Sequence, residues 1–146
     1  MNRRFGAAPR HDVRYPPRPG AYVIIDAGDC LLASFQESPF PELQLPGGGI
    51  DPGEGTLSAL HREVMEETGY RIHSIRRLGM FHRYTFMPDY DRYAQKLCSI
   101  YCARLGPRVS DPTEPGHSAV FLPWSVALEK LAVAGDREYV ARYLGL

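Results

Sequence analysis

Hydrophobic positions along the chain fall into short runs separated by turn chemistry. Residues 21–26 (AYVIID) and 31–35 (LLASF) are two β-rich runs, and Ala27, Gly28 and Asp29 between them predict a tight turn. Residues 40–45 lead through Pro46 into three consecutive glycines, Gly47, Gly48 and Gly49. A stretch without side chains suits close approach of backbone to a ligand, or an unusual φ/ψ. From 57 to 68 the period turns helical: Leu57, Leu60, Val64 and Thr68 fall on one stripe, and Gly69 is a natural stop. Strands are expected at 70–80, 83–87 and 96–105, with a turn at Pro88, Asp89, Tyr90 and Asp91. A polar loop at 111–116, a short strand at 120–122 and helices at 125–133 and 136–144 complete the chain. Strands on both sides of one helix, with helices at the end and no internal repeat, describe a single mixed α/β layer structure.

Before Gly20 no period is visible. Residues 1–19 hold four prolines and five arginines against one acid, Asp12, and are expected as a flexible basic arm ahead of a single domain at 20–146. The 146 residues are enough to bury a core without disulfides. Formal net charge is zero, so no global field draws the chain to a membrane or to nucleic acid, and neither is expected as a stable partner. No run approaches the length of a membrane-spanning helix, and the N-terminus lacks the apolar stretch of a secretory signal. Three cysteines, Cys30, Cys98 and Cys102, without a regular framework fit a reducing, cytoplasmic setting. Cys98 and Cys102 read as buried thiols, and Trp124 as the anchor of a helix.

The neutral total hides a local excess of acid. Residues 51–67 hold Asp51, Glu54, Glu63, Glu66 and Glu67 against Arg62 alone. On a helix Glu63, Glu66 and Glu67 are related as i, i+3 and i+4 and converge on one patch, opposite the apolar stripe. Like charges at these spacings repel, and anions in the last turn oppose the helix dipole. Arg62 relieves one carboxylate through its i,i+4 relation to Glu66. A divalent cation would remove the remaining conflict, and hard carboxylate oxygens suit Mg²⁺ or Mn²⁺.

Residues 48–70, GGIDPGEGTLSALHREVMEETGY, fit Gly-x5-Glu-x7-Arg-Glu-U-x-Glu-Glu-x-Gly-U, where U is a bulky apolar residue. Gly48, Glu54, Arg62, Glu63, Val64, Glu66, Glu67, Gly69 and Tyr70 fill the places, Tyr70 being an aromatic where an aliphatic is more usual. The pattern resembles the signature of the Nudix hydrolases, MutT-like enzymes acting on a nucleoside diphosphate linked to a group X. The order of strands and the C-terminal helices extend the likeness from about residue 20 to the end. The resemblance implies an α/β/α sandwich around a mixed sheet, with a loop–helix–loop that holds Mg²⁺ while water cleaves a pyrophosphate. It implies Glu63, Glu66 and Glu67 as metal ligands with the backbone carbonyl of Gly47, Arg62 as the residue orienting a glutamate, and Glu54 as a brace for the loop. Gly48 and Gly49 would let backbone approach the phosphates.

The general base is not marked by the motif. Relatives often carry a glutamate just before the last strand, where this chain has His117 and Ser118. Glu114 is the substitute candidate and His117 the second, with Glu63 or Glu66 as the remaining options. Substrate choice is expected within 81–93 (FHRYTFMPDYDRY), where Arg83 could meet phosphates and Tyr84 and Phe86 could stack on a base. The partner expected is a small nucleotide-type molecule. Dimers are frequent among the proteins this chain resembles, so a homodimer is compatible. The competing reading is a non-catalytic module of the same shape that binds a nucleotide or a protein. An isomerase of diphosphorylated isoprenoids is disfavoured, since no cysteine lies near the glycine loop in sequence.

Overall fold

A computed structural model describes residues 3–146; Met1 and Asn2, at the tip of the expected arm, lie outside them. In chain order the elements are β1 (Arg3–Arg4), β2 (Pro17–Asp26), β3 (Cys30–Gln36), β4 (Glu42–Gln44), β5 (Gly47–Gly49), α1 (Thr56–Thr68), β6 (Tyr70–Met87), a 3₁₀ turn (Pro88–Tyr90), β7 (Arg92–Arg108), β8 (His117–Pro123), α2 (Trp124–Lys130) and α3 (Ala134–Tyr143). The eight strands make one mixed sheet in the order β1-β6-β7-β2-β3-β4, with β5 on β2 and β8 on β3.

β2 is apolar on both faces because both are covered. Ala21, Val23 and Ile25 pack with Leu60 and Val64 of α1, while Ile24 joins Phe81, Tyr139, Val140 and Leu131 beneath α2 and α3. Two cores on opposite sides of one sheet give the α/β/α sandwich that the resemblance implies. Trp124 begins α2, donates its indole N–H to the Gly28 carbonyl at 2.9 Å and stacks on Tyr143, so it joins the turn before β3 to the last helix.

Two expectations are corrected. The strands expected at 70–80 and 83–87 are one strand, β6, whose pairing with β7 shifts register between Tyr70 and Ile72, His73 and Arg76, and Arg77 and Gly79. Each shift breaks the period-two alternation, so polar residues interrupt the pattern without ending the strand. The N-terminal segment, expected as a free arm up to residue 19, is laid on the sheet. Arg3 and Arg4 pair in parallel with Phe81 and His82, Phe5 meets Phe81 edge-to-face at 5.3 Å, and Tyr15 packs on Tyr84 and Tyr93. β2 begins at Pro17, and proline there is tolerable at a strand's first residue.

Candidate active site

β2 pairs with β3 at Ile25↔Leu32 and Asp26↔Leu31 and nowhere else along its ten residues. The two strands therefore diverge, and β5 runs antiparallel to Gly20, Ala21 and Tyr22 at the mouth of the opening. The resulting pocket is walled by the glycine strand, by Glu63 and Glu67 of α1, and by His117 at the start of β8. Gly48 sets how closely α1 can approach: a Cβ there would lie 2.7 Å from the carboxyl carbon of Glu63. Only a residue without a side chain leaves that carboxylate its place.

The helix is stopped by Gly69, left-handed at φ 77°, whose N–H donates to Met65 O at 2.9 Å. Its terminal carbonyls are then satisfied by the loop that follows β7: Val109 and Ser110 donate to Gly69 O, and Thr113 and Glu114 donate to Glu66 O at 2.8 Å each. This capping brings the 111–116 loop to the acidic end of α1.

The buried face of α1 is rotated from the expected stripe. Leu57 is 49% exposed, whereas Glu67 is only 6% exposed beside Leu60, Val64 and Thr68. The acidic patch is thus not wholly opposite the apolar face; Glu67 lies within the buried arc because β5 offers bare backbone for it to bond.

Arg62 binds the loop to the helix. Its Nε and Nη2 donate to the two carboxylate oxygens of Glu54 at 2.8 and 2.9 Å, and Nη1 donates to Glu63 at 3.0 Å and to Glu66 at 3.3 Å. Nη2 also reaches the Gly49 carbonyl at 3.3 Å. The fork holds the Glu54 carboxyl down at about 2, helped by the Asp51 backbone N–H. Glu63 moves the other way, raised chiefly by burial against the pull of Arg62.

Glu67 takes the Gly47 N–H at 3.1 Å on Oε1, and its Oε2 lies 3.8 Å from His117 Nε2, beyond hydrogen-bond range. Burial, with Glu63 and Glu114 adding like charge, pushes its pKa up to about 8. The Nδ1–H of His117 donates to the Pro115 carbonyl at 3.2 Å, since a carbonyl can only accept, which leaves Nε2 free to face Glu67. Glu114 is exposed and outside the pocket wall, near enough to act on Glu63 and Glu67 through charge. Gly47 meets the helix through its N–H as well as lining the pocket.

Of the residues expected to meet substrate, Gly48, Gly49 and Arg83 line the pocket and Tyr84 does not. Strand alternation turns Arg83 inward and Tyr84 outward, where it packs on Tyr15 and His82. Phe86 borders an adjoining groove with Phe40 and Tyr90. The sequence reading missed Arg18, Lys96, Cys98 and Asp136, all on the pocket wall. Cys98 stands opposite Gly20, itself opposite Gly49, so a cysteine does border the glycine loop in space; burial pushes its thiol up to about 11.

Among the described residues, no three His, Cys, Asp or Glu side chains stand close enough to hold a metal ion as placed, with Arg62 drawing on Glu63 and Glu66. The donor chemistry nonetheless fits a hard divalent cation. Glu67 is a desolvated carboxyl with one N–H bond and no cation, next to a second half-buried carboxylate cradled by Gly48.

Comparison with known proteins agrees with this geometry. Residues 16–143 match the model of the NUDIX domain. A Bacillus subtilis protein provisionally named an 8-oxo-dGTP diphosphatase is 34% identical over 70 residues, 48% of this chain and 47% of that one. The isopentenyl-diphosphate Delta-isomerase of Mycolicibacterium vanbaalenii is 27% identical over 131 residues, 84% of this chain and 72% of its own. The chain thus spans about half the length of the first of these relatives. Among solved structures, a NUDIX hydrolase from Nitrosomonas europaea superimposes with a TM-score of 0.73 at 19% identity, over 88% of this chain and 89% of that one. The signature on α1, its glycine strand and the match across nearly the whole sheet place this chain in the NUDIX domain family.

Proposed function

We propose that this chain is a Mg²⁺-dependent pyrophosphohydrolase acting on a nucleoside diphosphate-X type of substrate, with Mn²⁺ as a substitute ion. The observation that bears most on this reading is Glu67, a carboxyl buried against Gly47 and raised by burial, beside Glu63 and Glu66. Glu63, Glu66, Glu67 and the Gly47 carbonyl would hold the cation. When bound, it neutralises the phosphates and lowers the pKa of water.

The chain's own residues supply the rest. Arg62 keeps Glu63 and Glu66 from rotating into solvent and anchors them, through Glu54, to the loop. The Gly48 and Gly49 backbone admits the pyrophosphate to the mouth of the pocket, and Arg83 lines the same pocket. His117, hydrogen-bonded through Nδ1, turns Nε2 to the space beside Glu67, which supports it as the group that accepts a proton from the attacking water. Glu114 acts on the same carboxylates from outside the pocket.

The test is metal-dependent hydrolysis across a panel, with and without Mg²⁺: release of nucleoside monophosphate from nucleotide sugars, nucleoside triphosphates and dinucleoside polyphosphates, and release of phosphate or pyrophosphate from 5′-triphosphorylated RNA. Isopentenyl diphosphate is assayed beside them for isomerisation, because Cys98 borders the pocket. Glu67→Gln keeps an acceptor for the Gly47 N–H and removes the carboxylate that would hold the cation, and it should cut metal-dependent turnover by more than about a hundredfold. Tight nucleotide binding without turnover on any member would replace the enzyme by a binding module.

A further inference from the structure

The parallel register of β2 on β7 sets Arg18 beside Lys96, and the antiparallel register of β6 on β7 sets Arg83 beside Lys96. Three cationic side chains therefore form one row across three adjacent strands. Directly paired residues project from the same face of a sheet. That face is the pocket: all three line it, with Glu63, Glu67 and His117 on the other walls.

Like charges directly opposite on paired strands are destabilising. The crowding is felt by Lys96, whose ammonium is pushed down first by burial and then by Arg83. Among the described residues, no carboxylate lies within ion-pair distance of Arg18, Lys96 or Arg83. The buried Nε of Arg83 has no hydrogen-bond partner. Of the two buried acids that line the pocket, Asp136 feels Arg83 and Lys96 through charge, while Glu67 is bonded to the Gly47 N–H on the α1 wall, so the three cations keep no ion-pair partner among the described residues. The row is also held in place, since the Arg18 guanidinium lies 4.9 Å over the Tyr90 ring.

We propose that Arg18, Lys96 and Arg83 form a subsite for a phosphate group of the substrate beyond the scissile linkage, so that the chain selects substrates whose X group is itself anionic. The assignment of this anion as substrate rests on the pyrophosphohydrolase reading; the cationic row does not. A neutral X, such as a sugar, would leave half-buried cations unpaired and would be disfavoured for that reason. A third phosphate would accept charge-assisted hydrogen bonds from all three side chains.

Calorimetry in EDTA with inorganic tripolyphosphate, and separately with inorganic phosphate, reads the row without the metal. The wild-type chain should bind tripolyphosphate, and Lys96→Met or Arg18→Met should weaken that binding about tenfold. With Mg²⁺, the ratio of kcat/KM for ATP to that for ADP-glucose should fall by a similar factor, and Lys96→Arg should restore it. Lys96→Met should also raise Tm, because it relieves the repulsion; a purely structural lysine would do the reverse. Unchanged tripolyphosphate affinity in both methionine variants, or none in the wild type, overturns the proposal. So does inorganic phosphate binding as tightly as tripolyphosphate, which would make the row a free-anion site. Binding through the row with no metal-dependent hydrolysis of any panel member would sink the enzymatic reading and leave the anion subsite standing.

Discussion

Arg62 makes hydrogen bonds to three glutamates and one backbone carbonyl, and its planar fork is what makes that possible. Lysine carries the same charge on a compact head and cannot span both oxygens of Glu54 while reaching Glu63. Arg62→Lys should therefore keep the fold while lowering kcat/KM by about ten- to a hundredfold, with a higher Mg²⁺ requirement as the companion sign. Steady-state kinetics across a Mg²⁺ titration would check it; full activity at ordinary Mg²⁺ would show that the fork does not organise the site. Gly48 makes a second prediction at this scale. Alanine there would put a methyl group against the Glu63 carboxylate, so activity should drop more than about tenfold with little change in Tm.

At the scale of the element, α1 shows how a helix end can assemble a site. Its C-terminal carbonyls take the amides of Thr113 and Glu114, and that bonding places His117 three residues later on the pocket wall. Gly69 is the hinge of this arrangement, left-handed and pressed against the Ser110 carbonyl. Gly69→Ala forces a Cβ into both conflicts and should destabilise the chain by about 1–3 kcal/mol, read as a lower urea midpoint at unchanged m. Because the loop it braces carries His117, turnover should fall further than stability alone explains. β6 and β7 act in the same way across the sheet. Their register, not any local motif, sets Arg83 beside Lys96, and alternation along β6 sends Tyr84 to the far side.

Across the whole molecule, the two cores lie on opposite faces of the sheet, and the pocket opens where β2 and β3 part. Asp136, in the first turn of α3, is buried where it lines the pocket, and burial pushes its pKa up to about 7 from an ordinary 3.8, against the pull of Arg83. A folded-state pKa above the unfolded one means that the native chain binds the proton more tightly. The stability this group contributes is full below about pH 4 and is lost as pH rises through about 7. Asp136→Asn should remove that dependence, so the variant should gain on the wild type by an amount on the order of a few kcal/mol between pH 5 and pH 8. Urea unfolding at both pH values tests this; parallel curves would show that Asp136 is not the group responsible.

Local chemistry was sufficient for much of this molecule. The spacing of Gly48, Glu54, Arg62, Glu63, Glu66, Glu67 and Gly69 is legible because a helix turns i, i+3 and i+4 into neighbours and a left-handed glycine ends it. The two β runs and the terminal helices announce themselves through their periods, and with them the layered class of fold. The burial of Glu67, the docking of the N-terminal segment, the place of His117 and the row of Arg18, Lys96 and Arg83 announce nothing. Each depends on which strand lies beside which, and at what register. Strand pairing joins residues tens of positions apart through backbone bonds that are alike at every step, so it leaves no mark in either partner's local pattern. Packing of the complete sheet chooses the register, and the register determines which charges share the pocket.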